Sequence, residues 1–446
     1  MISGTVVSLL VVVAGILAVR AEGEPVHDVA LTDGSIWVSG GRTGYWGRVN
    51  TGSHALDTII DGAGRTPATK ATEEVARADI LQDGRHAVGI TGVADGTTQD
   101  RQLVAFDTTT GTPITGNATL PASQITTGDA YFMPDLVALG GNTLAVVDHA
   151  SGDLWAMRLD PEGGTAIDGL TDRAPLESRI GRAAAVTVSE DGDIMVVSAE
   201  SGTVVEVPAQ GEGFGRAERT DLPFEGSRLA DITAVGDRWV VLDLEEATVH
   251  AEGMERPRPL PGGGSEQGGD LAIAALQQAG PESLSVAVQT IERAEYVEID
   301  EGATSGSDAG ISSGLDGKGE RAQFIKVSRP VLNGDCLYAA WGRGNGVLWG
   351  SACGEAGAGV SEIGIVGDLA RRSGVVVRRN RGQVILNDLD TGRIFDLAVT
   401  VDPRIDTWPG GAPRAEPAPY VPDYKKRQGQ PPSSTSAPTK PSTTSG

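Results

Sequence analysis

An all-β fold assembled from like-sized antiparallel sheets is the class this sequence predicts, and three observations predict it. The first is a two-residue turn signal that keeps returning: Asp33-Gly34, Asp83-Gly84, Gly140-Gly141, Asp191-Gly192, Gly236-Asp237, Gly280-Pro281, Asn333-Gly334 and Arg381-Gly382. Their first members step by 50, 57, 51, 45, 44, 53 and 48 residues. The second is another turn, ending in Ser-Gly or Thr-Gly, at Asp107–Gly111, Asp148–Gly152, Ala199–Gly202 and Asp388–Gly392, with Asn50-Thr51-Gly52 as a shortened copy. The third is a set of strands rich in Val, Ile and Ala without strict alternation, such as Leu144–Val147 and Trp239–Leu242, which suits sheets covered on both faces. A period near fifty carried by strands is that of a β-propeller. The units number eight between about residues 25 and 400. The ring then has seven or eight blades, depending on whether one unit is divided between the termini.

The elements follow in chain order. Residues 1–24 form a hydrophobic helix: Ile2 to Val19 carries no charge and is about 18 residues long, the lower edge of what spans a bilayer. Arg20, Glu22 and Glu24 follow it. A retained transmembrane anchor and a cleavable signal, with Val19-Arg20-Ala21 as the cleavage triplet, both fit. No basic stretch precedes the run, which leads us to expect a true start upstream of Met1. In either case the body is exported.

Residues 25–408 form the propeller. Its unit is plainest at Val186 to Val207, where strand, Glu190-Asp191-Gly192, strand, Glu200-Ser201-Gly202 and strand succeed one another. Gly supplies the positive φ at each turn, and the turn Asp accepts N–H groups of its own turn, so neither needs a ligand. The second turn is expected between the second and third strands of each blade. Residues 70–78 suit one or two exposed helical turns. Residues 301–319 are too rich in Gly and Ser to pack and read as a long surface loop.

Cys336 and Cys353 are the only cysteines. The Asn345-Gly346 hairpin signal between them folds two strands back and brings the thiols together. A disulfide closing that loop is worth about 3 kcal/mol by chain entropy. The alternative is a pair of buried free thiols. A metal site is disfavoured because no His lies within fifty residues of the pair. From residue 409 to 446 Pro, Ser and Thr dominate, which predicts a disordered linker or stalk. Such a tail is either a spacer to the cell wall or the start of a longer chain.

Charge excludes one class of partner. The formal net charge is −24, from 36 basic and 60 acidic residues, and the tail from Pro409 carries five basic and two acidic residues, so the body is more acidic still. A body that acidic repels phosphate backbones, so no nucleic-acid partner is expected.

Three segments carry a family resemblance. They are Leu31–Ser39 (LTDGSIWVS) continuing to Trp46–Asn50 (WGRVN), Arg329-Pro330-Val331 with Cys336–Trp341 (CLYAAW) and Cys353, and Val384–Leu397 (VILNDLDTGRIFDL). They resemble the N-terminal propeller region of bacterial membrane-anchored surface proteins that continue into Ig-like or fibronectin type III domains. The resemblance spans roughly residues 5 to 400. It implies a single-pass, outward-facing cell-membrane protein, secreted if the leader is cleaved. It brings no catalytic residues, and no Ig-like module follows the linker here.

Chemistry-bearing residues are sparse. His27, His54, His86, His149 and His250 are scattered, none at the spacing of a zinc pair. His149 reads as a solvent-facing turn residue. Carboxylate pairs such as Asp388 with Asp390 and Glu245 with Glu246 are expected by chance among so many acids. Ser189–Asp193 faintly suggests a calcium loop but lacks the alternating carboxylates of one, and turn chemistry accounts for it better. The Trp residues at 37, 46, 155, 239, 341 and 349 lie within strands, which favours core packing over a sugar platform. No catalytic, cofactor-binding or metal residue stands out, and no cofactor is expected. The function expected is a non-enzymatic, extracytoplasmic propeller scaffold or binding protein engaging a protein or glycan at the cell surface. The alternative is a propeller enzyme, a glycoside hydrolase or lyase. A His and two carboxylates converging on the central channel favour that alternative, and an empty, solvated channel favours the scaffold.

Overall fold

The computed structural model describes residues 35–41, 44–61, 78–84, 86–94, 99–108, 111–121, 135–161, 164–224, 226–260, 273–300, 310–315, 326–343, 346–353, 361–367, 374–380, 382–389, 391–397, 405 and 408. The hydrophobic segment 1–24, the tail 409–446, His27, Asp33-Gly34, residues 70–77 and most of 301–319 lie outside these. Among the described residues no helix is long and apolar enough to cross a membrane.

The described residues fold into an eight-bladed β-propeller. Blade 1 comprises β1 (Ile36–Ser39), β2 (Tyr45–Asn50) and β3 (Ala55–Asp61). Blade 2 holds β4 (Asp79–Asp83), β5 (His86–Ala94), β6 (Gln99–Asp107) and β7 (Thr112–Thr119). Blade 3 is β8 (Val137–Gly140), β9 (Thr143–Val147) and β10 (Leu154–Arg158). Blade 4 is β11 (Ala184–Val188), β12 (Ile194–Ser198) and β13 (Thr203–Val207), then a small hairpin of β14 (Ala209–Gln210) and β15 (Gly213–Phe214), then outer β16 (Glu218–Asp221). Blade 5 runs β17 (Ala230–Val235), β18 (Arg238–Asp243), β19 (Thr248–Ala251) and β20 (Arg258–Pro259). Blade 6 runs β21 (Ala274–Leu276), β22 (Ser285–Thr290), β23 (Arg293–Glu298) and β24 (Ile311–Ser312). In blade 7, β25 (Lys326–Val327) and β26 (Val331–Asn333) share one lane beside β27 (Cys336–Arg343), followed by β28 (Gly346–Cys353) and β29 (Ser361–Gly367). Blade 8 is β30 (Val375–Asn380), β31 (Gln383–Asp388) and β32 (Ile394–Asp396).

The core explains why the strands do not alternate. Along β12, Ile194 and Val196 pack toward blade 3, whereas Met195 and Val197 pack toward blade 5. Both faces of a blade are therefore apolar. Among the described residues eight apolar clusters sit between consecutive blades. The last joins Ile385 and Ile394 of blade 8 to Ile36, Val38 and Val49 of blade 1, which closes the ring.

Seven of the eight recurrent turns join the first two strands of their blades, and the eighth, Asp33-Gly34, precedes β1 and is not described. Gly141, at φ 49°, shows why glycine is needed there: a Cβ would lie 2.2 Å from the Gly192 nitrogen. The Ser/Thr-Gly turn departs from expectation in one place. It joins second to third strands in blades 1, 3, 4 and 8, but third to fourth in blade 2. The turn Asp does bind its own turn: Asp148 accepts the Ala150 N–H (3.0 Å) and the Ser151 hydroxyl (3.0 Å). Cys336 and Cys353 are disulfide-bonded, facing one another on β27 and β28.

Candidate functional site

Charged residues inside otherwise apolar inner strands build the centre of the ring. Between β25 and β26 the lane breaks at Ser328-Arg329-Pro330, a bulge that proline tolerates and that swings Arg329 inward. The Arg329 guanidinium meets Asp231 of blade 5, with Nη1 to Oδ2 at 3.1 Å and a second, shorter contact from Nη2 to Oδ1. Its Nε faces Asp135, ahead of β8 in blade 3, at 2.8 Å. One side chain touching blades 3 and 5 from blade 7 must lie in the channel. Asp231 is fully buried and also accepts the Ile232 and Leu276 N–H groups, both at 2.9 Å. Burial pushes its carboxyl up to about 6, with Arg329 pulling the other way.

Two further ties cross the ring from blade 8. Arg378, itself buried, donates to the Ile80 carbonyl and to Asp79 of blade 2, and its Nε donates to Asn387 at 3.1 Å. Arg379 reaches Glu190 of blade 4 at 3.3 Å and donates to the Leu332 carbonyl at 2.8 Å. Among the described residues, guanidinium–carboxylate pairs reach into the channel from blades 7 and 8.

The described histidines lie elsewhere. His54 sits in the β2–β3 turn, 3.7 Å from Asp396. His86 opens β5 and contacts Asn142 at 3.1 Å. His149 is half-buried in the β9–β10 turn, its Nδ1 donating to the Ala184 carbonyl at 2.9 Å, so it holds the blade 3–4 junction. His250 lies buried in β19 against Phe224. Burial lowers the pKa of both His86 and His250. Trp37, Trp46, Trp239 and Trp341 are core residues, as their strand positions predict, and form no sugar platform. In the Ser189–Asp193 segment, the Asp193 N–H donates to Ser189 Oγ at 3.0 Å and the Gly192 N–H to the Ser189 carbonyl at 3.1 Å, which is turn chemistry. Among the described residues no group of three or more His, Cys, Asp or Glu is placed to hold a metal.

A groove of about 540 Å³ opens on the rim between blades 4, 5 and 6, lined by Asp193, Glu206, Asp237, Arg238, Glu252, Gly253 and Asp300. Its one cation, Arg238, is engaged by Asp300 (2.7 Å) and the Ser283 carbonyl (2.6 Å). Glu206 stands directly across the β13–β16 pair from Glu218. Burial first, then the charges of Glu252, Asp193, Glu218 and Asp237, push its carboxyl up to about 7. Such a field draws cationic groups and repels polyanions. Spacing along the sequence does not bring these acids together, since they come from three blades. The channel ties leave a trace: Arg378-Arg379 in Val375–Asn380 and Asp231 in Ala230–Val235 break apolar strands, and Pro330 sits in the gap between Val327 and Val331.

No family model and no curated protein matches the chain. Among solved structures it is similar to the dihydro-heme d1 dehydrogenase NirN in complex with DHE, at 11% identity over 82% of this chain and 71% of that one, TM-score 0.46. It is similar to apo AztD from Citrobacter koseri at 9% identity over 82% and 92%, TM-score 0.42. It is similar also to the β-propeller domain of the Trilobed protease from Pyrococcus furiosus at 10% identity over 71% and 92%, TM-score 0.36. The chain spans about half the length, 49% and 50%, of the prolyl endopeptidase and acylaminoacyl peptidase structures it matches. At identities this low, nothing about activity or ligand passes to this chain.

Proposed function

We propose that this chain is a non-enzymatic propeller scaffold, anchored in the cell membrane by its N-terminal hydrophobic segment, that engages a protein or glycan through its rim on the extracytoplasmic side. The channel carries the reading. The channel expected of a scaffold is an empty one; instead Arg329, Arg378 and Arg379 reach carboxylates and carbonyls of this same chain there, a structural use of those charges that supports a scaffold over a substrate site. The disulfide supports an oxidising compartment. The sequence resemblance to N-terminal propellers of Ig-like and fibronectin type III surface proteins supports the anchor and the outward orientation. The acid groove between blades 4 and 6 favours a partner surface with basic or neutral polar groups over a polyanion.

Titration of the immobilised full chain with envelope extract fractions tests this. The expected result is one saturable partner, retained by Arg329→Met and weakened by Asp237→Asn combined with Glu252→Gln. Turnover of a polysaccharide or peptide by the purified chain would contradict the reading. Membrane fractionation, with the body accessible to protease outside intact cells, tests the anchor.

A further inference from the structure

We propose that blade 1 opens separately from the rest of the ring and is latched shut by Trp408. Neighbouring inner strands elsewhere run parallel: Val186 of β11 donates to the Asp135 carbonyl ahead of β8, and Gly140 at the end of β8 lies against Val188 and Ser189. β1 runs the other way. Ser39 reaches the Ala78 carbonyl, before β4, whereas Trp37 and Ser35 meet Gln82 near its end. Against blade 8 the sense is again reversed, with Asn380 at Ser35 and Asn387, opposite Val376, at Ser39.

Side-chain amides, in place of a backbone ladder, therefore seal the inner edge of β1. The Trp37 N–H donates to Gln82 Oε1 (2.9 Å), and Gln82 Nε2 and Asn380 Nδ2 donate to the Ser35 carbonyl (3.2 and 2.7 Å). The Ser39 N–H donates to Asn387 Oδ1 (2.9 Å), and Asn387 Nδ2 donates to the Ser39 carbonyl (3.0 Å). Meanwhile Arg378 ties blade 8 directly to Asp79 and Ile80 of blade 2. Blades 2 to 8 are thus joined across blade 1, which docks into them through its apolar faces, these five amide bonds, the Ser39 hydroxyl on the Ala78 carbonyl, the Trp46 and Arg48 N–H groups on the Asp79 and Thr108 carbonyls, and His54 beside Asp396.

The latch lies between blades 8 and 1. The Ile405 N–H donates to the Ile394 carbonyl (3.0 Å), and Trp408 Nε1 donates to the Gly392 carbonyl (2.7 Å). The Trp408 ring then lies over β2, stacked on Tyr45 at 6.4 Å and so close to Gly47 that a Cβ there would come within 2.8 Å. Ile405, through its backbone N–H, and Trp408, through its indole N–H, hold blade 8, while the Trp408 ring covers blade 1, and together they set how readily the two part.

Hydrogen exchange read by mass spectrometry on the full chain tests this. Trp408→Ala is expected to speed exchange of residues 36–60 by about tenfold or more, with residues 184–251 of blades 4 and 5 unchanged. Trp408→Phe, which keeps the ring and loses the Gly392 bond, is expected to give a smaller acceleration in the same residues, and it serves should the alanine variant not fold. Uniform acceleration across all blades, or no change in residues 36–60, would overturn the proposal.

Discussion

Asn387 does more for the ring than its size suggests. It is fully buried, and its amide satisfies both the N–H and the carbonyl of Ser39 while its Oδ1 also takes Arg378 Nε. Asn387→Ala orphans those groups at about 1–3 kcal/mol each. Urea unfolding is expected to show a loss at the upper part of that range, with Asn387→Asp intermediate because it keeps the acceptor alone. Glu206 makes a pH prediction. Its folded pKa of about 7 lies above the ordinary glutamate value of 4.5, so the native state binds the extra proton between those values. The associated stability is complete below 4.5 and is lost as pH rises through 7. Glu206→Gln should therefore raise the melting temperature at pH 8, and the gain should vanish near pH 4.5. An equal gain at both pH values would show that neither burial nor the neighbouring carboxylates raise the Glu206 carboxyl.

At the scale of the strand and turn, the sequence was most legible where one residue type has one physical job. Gly141, Gly192 and Gly202 hold positive φ at blade turns, and their spacing alone placed the blades. Gly141→Ala adds strain to a collision with the Gly192 backbone, so a loss of about 2 kcal/mol or more is expected in thermal unfolding. The Cys pair was legible for the same reason, because a turn between two strands fixes which residues face each other. Reduction of Cys336–Cys353 is expected to cost about 3 kcal/mol, read as a lower urea midpoint in dithiothreitol that Cys336→Ser with Cys353→Ser reproduces. What stayed illegible was register between blades. The turn at Asp107–Gly111 falls one strand later than its counterparts, and turn composition carries no mark of which two strands it joins.

Over the whole molecule, the period predicts a ring but cannot say what lies at its centre. The channel ties join residues about 50 to 300 positions apart, and no local pattern pairs Arg329 with Asp231 or Arg378 with Asp79. Apolar strands broken by single charges were the available clue, legible only once the inner strands are known to face a channel. The rim groove was illegible for a related reason: acids are so abundant that only the ring order brings Glu206 and Glu252 together. A double-mutant cycle on Arg329→Met and Asp231→Asn tests the central claim most directly, because the two residues are 98 positions apart and two blades removed. Unfolding free energies should be non-additive, with a coupling of about 1–3 kcal/mol and the double variant less impaired than the summed singles. Additivity within about 0.5 kcal/mol would contradict a propeller whose channel is spanned by its own ion pairs.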